Sequence, residues 1–126
     1  MIFLDKEQRL EKINALIKFI SERGRRFFYS GSNKRVASMK LKNNRVYFVD
    51  HRTGEEVYAY NGFSKKGFSH GGTIWALVCD FSLFIRTGKN TNGTNGYGGL
   101  YSGDWGHSDE IQTEIIEYAK SIGYLK

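Results

Sequence analysis

The sequence predicts an α+β domain: an N-terminal helix, a three- to four-stranded antiparallel sheet, a buried central helix, a long loop and a C-terminal helix, with the helices packed mainly on one sheet face. Three observations predict it. Apolar residues recur at helical spacing near both ends of the chain. Short segments of period-two alternation, separated by turn residues, fill the region from Lys34 to Tyr60. Between Ile74 and Arg86 only Asp80, Ser82 and Arg86 are polar, the composition of a helix buried nearly all round. At 126 residues the chain is one domain with room for a real core.

The first helix is expected from Lys6 to Arg23. Asp5-Lys-Glu-Gln8 has the form of a capping box, with Asp5 as N-cap and Gln8 reaching back. Leu10, Ile13, Leu16, Ile17 and Ile20 form the apolar stripe, Lys6, Arg9, Lys12 and Lys18 are available for the wet side, and Gly24 is a C′ residue. Arg25 to Tyr29 reads as a first strand or extended lead-in, bounded by Ser30-Gly31-Ser32-Asn33. A meander of Lys34 to Leu41, Arg45 to Val49 and Glu56 to Tyr60 follows. Asn43-Asn44 supplies a tight turn, because Asn tolerates positive φ, and Asp50 to Gly54 supplies a longer one.

Period two sorts the meander into two faces. Ala37, Met39, Leu41, Val46, Phe48, Val57 and Ala59 should meet the helices. Lys40, Arg45, Tyr47, Val49, Tyr58 and Tyr60, joined by Ser38 and Glu56, should form the other face. A face mixing cations with tyrosines can bind nucleic acid through phosphate contacts and base stacking, so Lys40, Arg45, Tyr47, Tyr58 and Tyr60 are the candidate nucleic-acid residues. The bland alternative is an ordinary wet face covered by tyrosine rings and cationic stems.

The central helix is entered through Gly71-Gly72 and left at Gly88, with Arg86 in its last turn. The segment before it holds Lys65, Lys66, His70, Gly71, Gly72 and Thr73 at a helix N-terminus, a candidate anion site that could sequester a small phosphorylated ligand. It is neither a Walker A loop nor a dinucleotide fingerprint, and a plain connection capped by Ser69 or Thr73 accounts for it as well. Residues 88–106 form a long Gly/Asn-rich loop, where Tyr97, Tyr101 and Trp105 either anchor it to the core or present rings to a protein partner. Ser108 is an N-cap followed by Asp109 and Glu110, and Ile111, Ile115, Tyr118, Ala119 and Ile122 make the stripe of the closing helix, which Gly123 ends.

The net charge of +6 is unevenly placed. Residues 23–66 carry eleven Lys/Arg against three acids, whereas residues 67–126 carry four against six. The basic excess lies on the sheet segment and points to an anionic partner, nucleic acid or a protein that handles it. Cys79 is alone in the apolar helix, reads as a small buried hydrophobe and fits a reducing compartment. With no secretory h-region and no apolar run long enough for a bilayer, the expectation is a cytoplasmic protein without membrane contact. His51, His70 and His107 fall in expected loops near Asp50, Asp104 and Asp109, but no pair has diagnostic metal spacing. No cofactor or metal is expected. The enzyme alternative rests on Asp80, the one ionisable group expected to be desolvated, with His70 nearby in the preceding loop.

Gly67-Phe-Ser-His-Gly-Gly-Thr73, Phe84-Ile-Arg-Thr-Gly-Lys89 and Asp104-Trp-Gly106 precede a closing helix ending Ile122-Gly-Tyr-Leu125. Together with the hairpin from Arg45 to Gly54, these segments resemble small phage and prophage proteins of unassigned activity. The resemblance spans roughly residues 40–125 and carries no catalytic residues across. It implies a virus-encoded accessory protein of the host cytoplasm, acting by binding, for example as an inhibitor of host defence.

Overall fold

The computed structural model describes residues 5–23, 28–32, 34–59, 72–89, 100 and 108–125. In chain order these form α1 (Lys6–Arg23), β1 (Tyr29–Ser30), β2 (Arg35–Val36), β3 (Ser38–Lys42), β4 (Arg45–Val49), β5 (Glu56–Tyr58), α2 (Gly72–Thr87) and α3 (Asp109–Ser121). Three helices with antiparallel sheets make this an α+β fold.

The start of α1 is closed by the reciprocal capping box. The Gln8 N–H donates to Asp5 Oδ1 at 2.8 Å, and the Asp5 N–H donates to Gln8 Oε1 at 3.0 Å. Ile13, Leu16, Ile17 and Ile20 are buried, as their spacing requires. Arg9, expected on the wet side, turns inward instead. Its Nε donates to the Ile85 carbonyl at 2.9 Å and its Nη2 to the Arg86 carbonyl at 3.4 Å. A cation thus meets the unsatisfied carbonyls at the C-terminus of α2, where the helix dipole favours it.

The main sheet has the order β3-β4-β5. Its first turn holds Asn43 and Asn44 at φ 52° and 64°, the left-handed conformation of a tight hairpin. The register pairs Met39 with Phe48 and Phe48 with Val57 on one face, and Lys40 with Tyr47 and Tyr47 with Tyr58 on the other. Helix α1 packs on β3, α2 and α3, and α2 packs on β4. Met39, Val46 and Phe48 join the core formed with Ile13, Ile17, Leu77, Phe81 and Ile85.

The segment expected as one strand from Lys34 to Leu41 is two. It breaks at Ala37, with β2 paired to β1 in a small separate sheet and β3 paired to β4. At the break the Ala37 N–H donates at 2.8 Å to the carbonyl of Phe28, whose ring is fully buried. Phe28 takes φ 62°, a conformation that costs a bulky residue about 1–3 kcal/mol. Burial of its ring against Phe48 and Phe81 offsets that cost. The first strand is Tyr29–Ser30, so Ser30 belongs to the ladder and not to the turn.

Strand β3 has β4 on one side and α1 on the other. The Asn14 side chain of α1 donates to the Met39 carbonyl at 2.9 Å and accepts from the Met39 N–H at 2.6 Å. Among the described residues, this one amide takes the place of a strand partner on the β3 edge. Helix α2 is buried along most of its length, from Ala76 through Ser82 and again at Phe84 and Ile85. Helix α3 begins at the Ser108 cap, whose Oγ accepts from the Ile111 N–H at 3.2 Å. Ile116 is buried as well as the expected Ile115 and Ala119. Beyond α3, Gly123 at φ 88° turns the chain back, and Tyr124 inserts edge-on between Phe81 and Phe84, at 5.4 and 5.1 Å.

Candidate functional site

The solvent side of the main sheet is built by three rungs. Ser38, Val49 and Glu56 form one, Lys40, Tyr47 and Tyr58 the next, and Lys42 with Arg45 the last. Alternation puts these side chains opposite the core because Met39, Phe48 and Val57 point inward. Tyr58 is 40% exposed, while Tyr47 in the central strand is half-buried. Their rings lie 5.4 Å apart at 35°. Each carries a cation: Lys42 Nζ stands 5.7 Å from the Tyr47 ring and the Arg45 guanidinium 5.5 Å from the Tyr58 ring, within cation–π range. Rings in this position offer faces for stacking, and the cations beside them offer charge for an anion.

One carboxylate shares this face. Lys40 Nζ donates to Glu56 Oε2 at 2.9 Å and Lys42 Nζ to Glu56 Oε1 at 3.1 Å. The hydrogen bond from Lys40 and then that from Lys42 hold the Glu56 carboxyl below its ordinary range. Both lysines are about half exposed, so neither ion pair is shielded from water. Among the described residues Lys40, Lys42 and Arg45 stand against Glu56 alone on these rungs, leaving the face cationic.

The structure therefore brings together Lys40, Arg45, Tyr47 and Tyr58 of the expected nucleic-acid residues, while Tyr60 lies outside the described residues. Lys42 was missed. The same alternation that selects Ser38 and Lys40 selects it, but the strand was expected to end at Leu41. Of the expected anion site, Lys65, Lys66, His70 and Gly71 lie outside the described residues, and Gly72 and Thr73 open α2. Tyr97, Tyr101 and Trp105 also lie outside them. Within the long loop Leu100 is fully buried and its carbonyl accepts from Gln112 Nε2 at 3.3 Å.

The interior holds the other polar groups. Asp80 is buried in α2, and Ser82 Oγ donates to the Ala59 carbonyl, tying α2 to the end of β5. Burial, and secondarily the Asp80 charge, pushes the Cys79 thiol up to about 12 and Tyr124 well above the usual tyrosine value. His51 lies in a turn, as expected, yet is 1% exposed and packs edge-on against Phe28 and Phe48, each 6.4 Å away. It lies under a turn organised by Asp50 Oδ1, which accepts from the Arg52 N–H at 2.7 Å and the Thr53 N–H at 3.4 Å. Among the described residues no group of three or more His, Cys, Asp or Glu is placed to hold a metal ion, and no helix is long and apolar enough to cross a membrane.

Fold and face together define a small α+β protein with one cationic, tyrosine-bearing sheet surface. The chain belongs to the YoqU family, whose model matches residues 4–126. It is 40% identical over 121 residues to the "SPbeta prophage-derived uncharacterized protein YoqU" of Bacillus subtilis (strain 168), an alignment covering 94% of this chain and 84% of the relative. The likeness to phage and prophage proteins read from the sequence is thus kinship with a prophage-derived protein. No solved structure matches the chain.

Proposed function

We propose that this protein acts by binding rather than by catalysis, and that the solvent face of β3, β4 and β5 takes single-stranded nucleic acid. The strand is either free or held by a host complex that handles it, whose inhibition in a prophage setting would antagonise host defence. The observation that carries the reading is the neighbouring Tyr47 and Tyr58 rings, each with a cation beside it. Stacking on aromatic faces and phosphate contacts to adjacent cations are together what single strands require, and both are tolerant of sequence. The origin of the prophage-derived relative supplies the setting.

The test is fluorescence anisotropy with labelled single-stranded DNA and RNA, with duplex DNA as the comparison, over a range of salt. The three cations of the face set a ceiling near −2 on the slope of log K against log salt, at about 0.7 per phosphate contact for single strands. Tyr47→Ala with Tyr58→Ala should lose about 1–3 kcal/mol per stacked base, and Lys40→Ala with Arg45→Ala should flatten the salt slope. Binding that ignores both double variants, or no salt-sensitive binding to any strand, refutes the proposal.

A further inference from the structure

Lys40 and Lys42 sit two residues apart on one strand and reach over the sheet to the same carboxylate, one to each oxygen. A carboxylate held by two ammonium groups in this way presents them with what a phosphodiester would: one negative charge spread over two outward acceptor oxygens. The pair rides beside the Tyr47 ring, through Lys42, and Tyr47 neighbours Tyr58. A phosphate accepted there would place its attached base within reach of those rings. The ion pairs are also of the exchangeable kind. Both lysines and Glu56 are open to solvent, and exposed pairs contribute little and are readily screened.

We infer that Lys40 and Lys42 form a phosphodiester-binding pair and that Glu56 is its internal competitor, occupying the phosphate position in the free protein. The inference rests on the proposed binding of single strands at this face and names the subsite and its regulation. In the free protein the two lysines share the Glu56 charge. When a strand binds, its phosphate displaces the carboxylate, which swings out to water. Glu56 thereby lowers affinity by the same factor for short and long strands, and only longer ones, whose stacked bases and additional phosphates supply the rest of the binding, retain useful affinity. It acts as a selector for extended single strands.

The experiment compares wild type, Glu56→Gln and Glu55→Gln for binding a fluorescent single-stranded oligonucleotide and a dinucleotide, at low and moderate salt. Glu55→Gln removes the same charge from an exposed position outside the fork and controls for net charge. The expected result is about three- to ten-fold tighter binding by Glu56→Gln, by a similar factor for the oligonucleotide and the dinucleotide. Its salt slope should be steeper by about 0.7–1.4, that is 0.7 for each lysine released. Glu55→Gln should change little, and the gain should vanish when Lys40→Ala and Lys42→Ala are added. Equal gains from the two glutamate variants would overturn the inference, as would wild-type binding that Glu56→Gln leaves unchanged, in both cases with strand binding itself intact. If neither wild type nor Glu56→Gln binds any strand, the underlying reading of the face fails, and the competitor role with it. Thermal unfolding of each variant confirms that all are compared in the folded state.

Discussion

Replacing Asn14 with alanine tests the least expected contact of the fold. The Asn14 amide joins both backbone groups of Met39, at 2.9 and 2.6 Å, and is the described cover of the β3 edge at that residue. Each such hydrogen bond contributes about 1 kcal/mol net, and the part-buried Met39 groups regain water only in part. The loss is therefore about 2 kcal/mol before a correction of opposite sign. Alanine is a better helix former than asparagine by roughly 0.6 kcal/mol, which leaves a net loss of about 1.5 kcal/mol. For a domain of this size that corresponds to a fall in Tm of roughly 5 °C. Urea unfolding followed by circular dichroism should show a lower midpoint at an unchanged slope, since the surface exposed on unfolding is the same. Asn14→Asp sharpens the test. It keeps an acceptor for the Met39 N–H but sets a negative charge against the Met39 carbonyl, and should destabilise at least as much as alanine at neutral pH. Light scattering should also register self-association of the alanine variant, because the bared edge is a template for strand pairing. A loss below about 0.5 kcal/mol in Asn14→Ala would refute the reasoning and make the contact incidental.

The remaining predictions concern the interior and one turn. Cys79, with its thiol pushed up to about 12, should resist alkylation in native protein at pH 8 and react at the rate of unfolding; fast native-state labelling would contradict its burial. The folded protein also holds the Tyr124 proton more tightly than the unfolded chain does. Its stability contribution is therefore complete below the ordinary tyrosine value near 10 and is lost as pH rises beyond it toward the folded value. Alkaline unfolding should shift to higher pH in Tyr124→Phe, and an unmoved transition would assign it elsewhere. At Gly54, φ is +75° and an added Cβ would lie 2.9 Å from Arg35 Nη1. Gly54→Ala should cost about 1 kcal/mol or more from the backbone alone, and Arg35→Ala should relieve only the steric part. Full rescue by Arg35→Ala in thermal unfolding would show that the backbone conformation carries no cost.

Most of what the chain states locally is correct in the structure, because local signals suffice for it. The Asp5–Gln8 box and the stripe from Leu10 to Ile20 specify α1 within a few turns of chain. Two consecutive asparagines specify the β3–β4 turn, and strict alternation assigns Met39 and Phe48 to one face and Lys40 and Tyr47 to the other. The composition from Ile74 to Arg86 states that α2 is buried, and a serine before two acids states where α3 begins. The cationic tyrosine face follows from the same alternation.

Only the tertiary structure decided which polar groups are committed to one another, because those partners are remote in sequence and carry no local signature. Arg9 meets Ile85 across 76 positions, and Asn14 meets Met39 across 25. Lys40 and Lys42 find Glu56 by reaching across β4, a contact that needs the register of all three strands and not merely their existence. The bond from Ala37 to Phe28 needs β1 laid beside β2, and the edge-on seat of Tyr124 depends on α2 already being in place. Periodicity reports which way a side chain points because that is set by the residue's own backbone. What it meets there is set by the approach of another segment, and the closing of those distances is the work of the whole core.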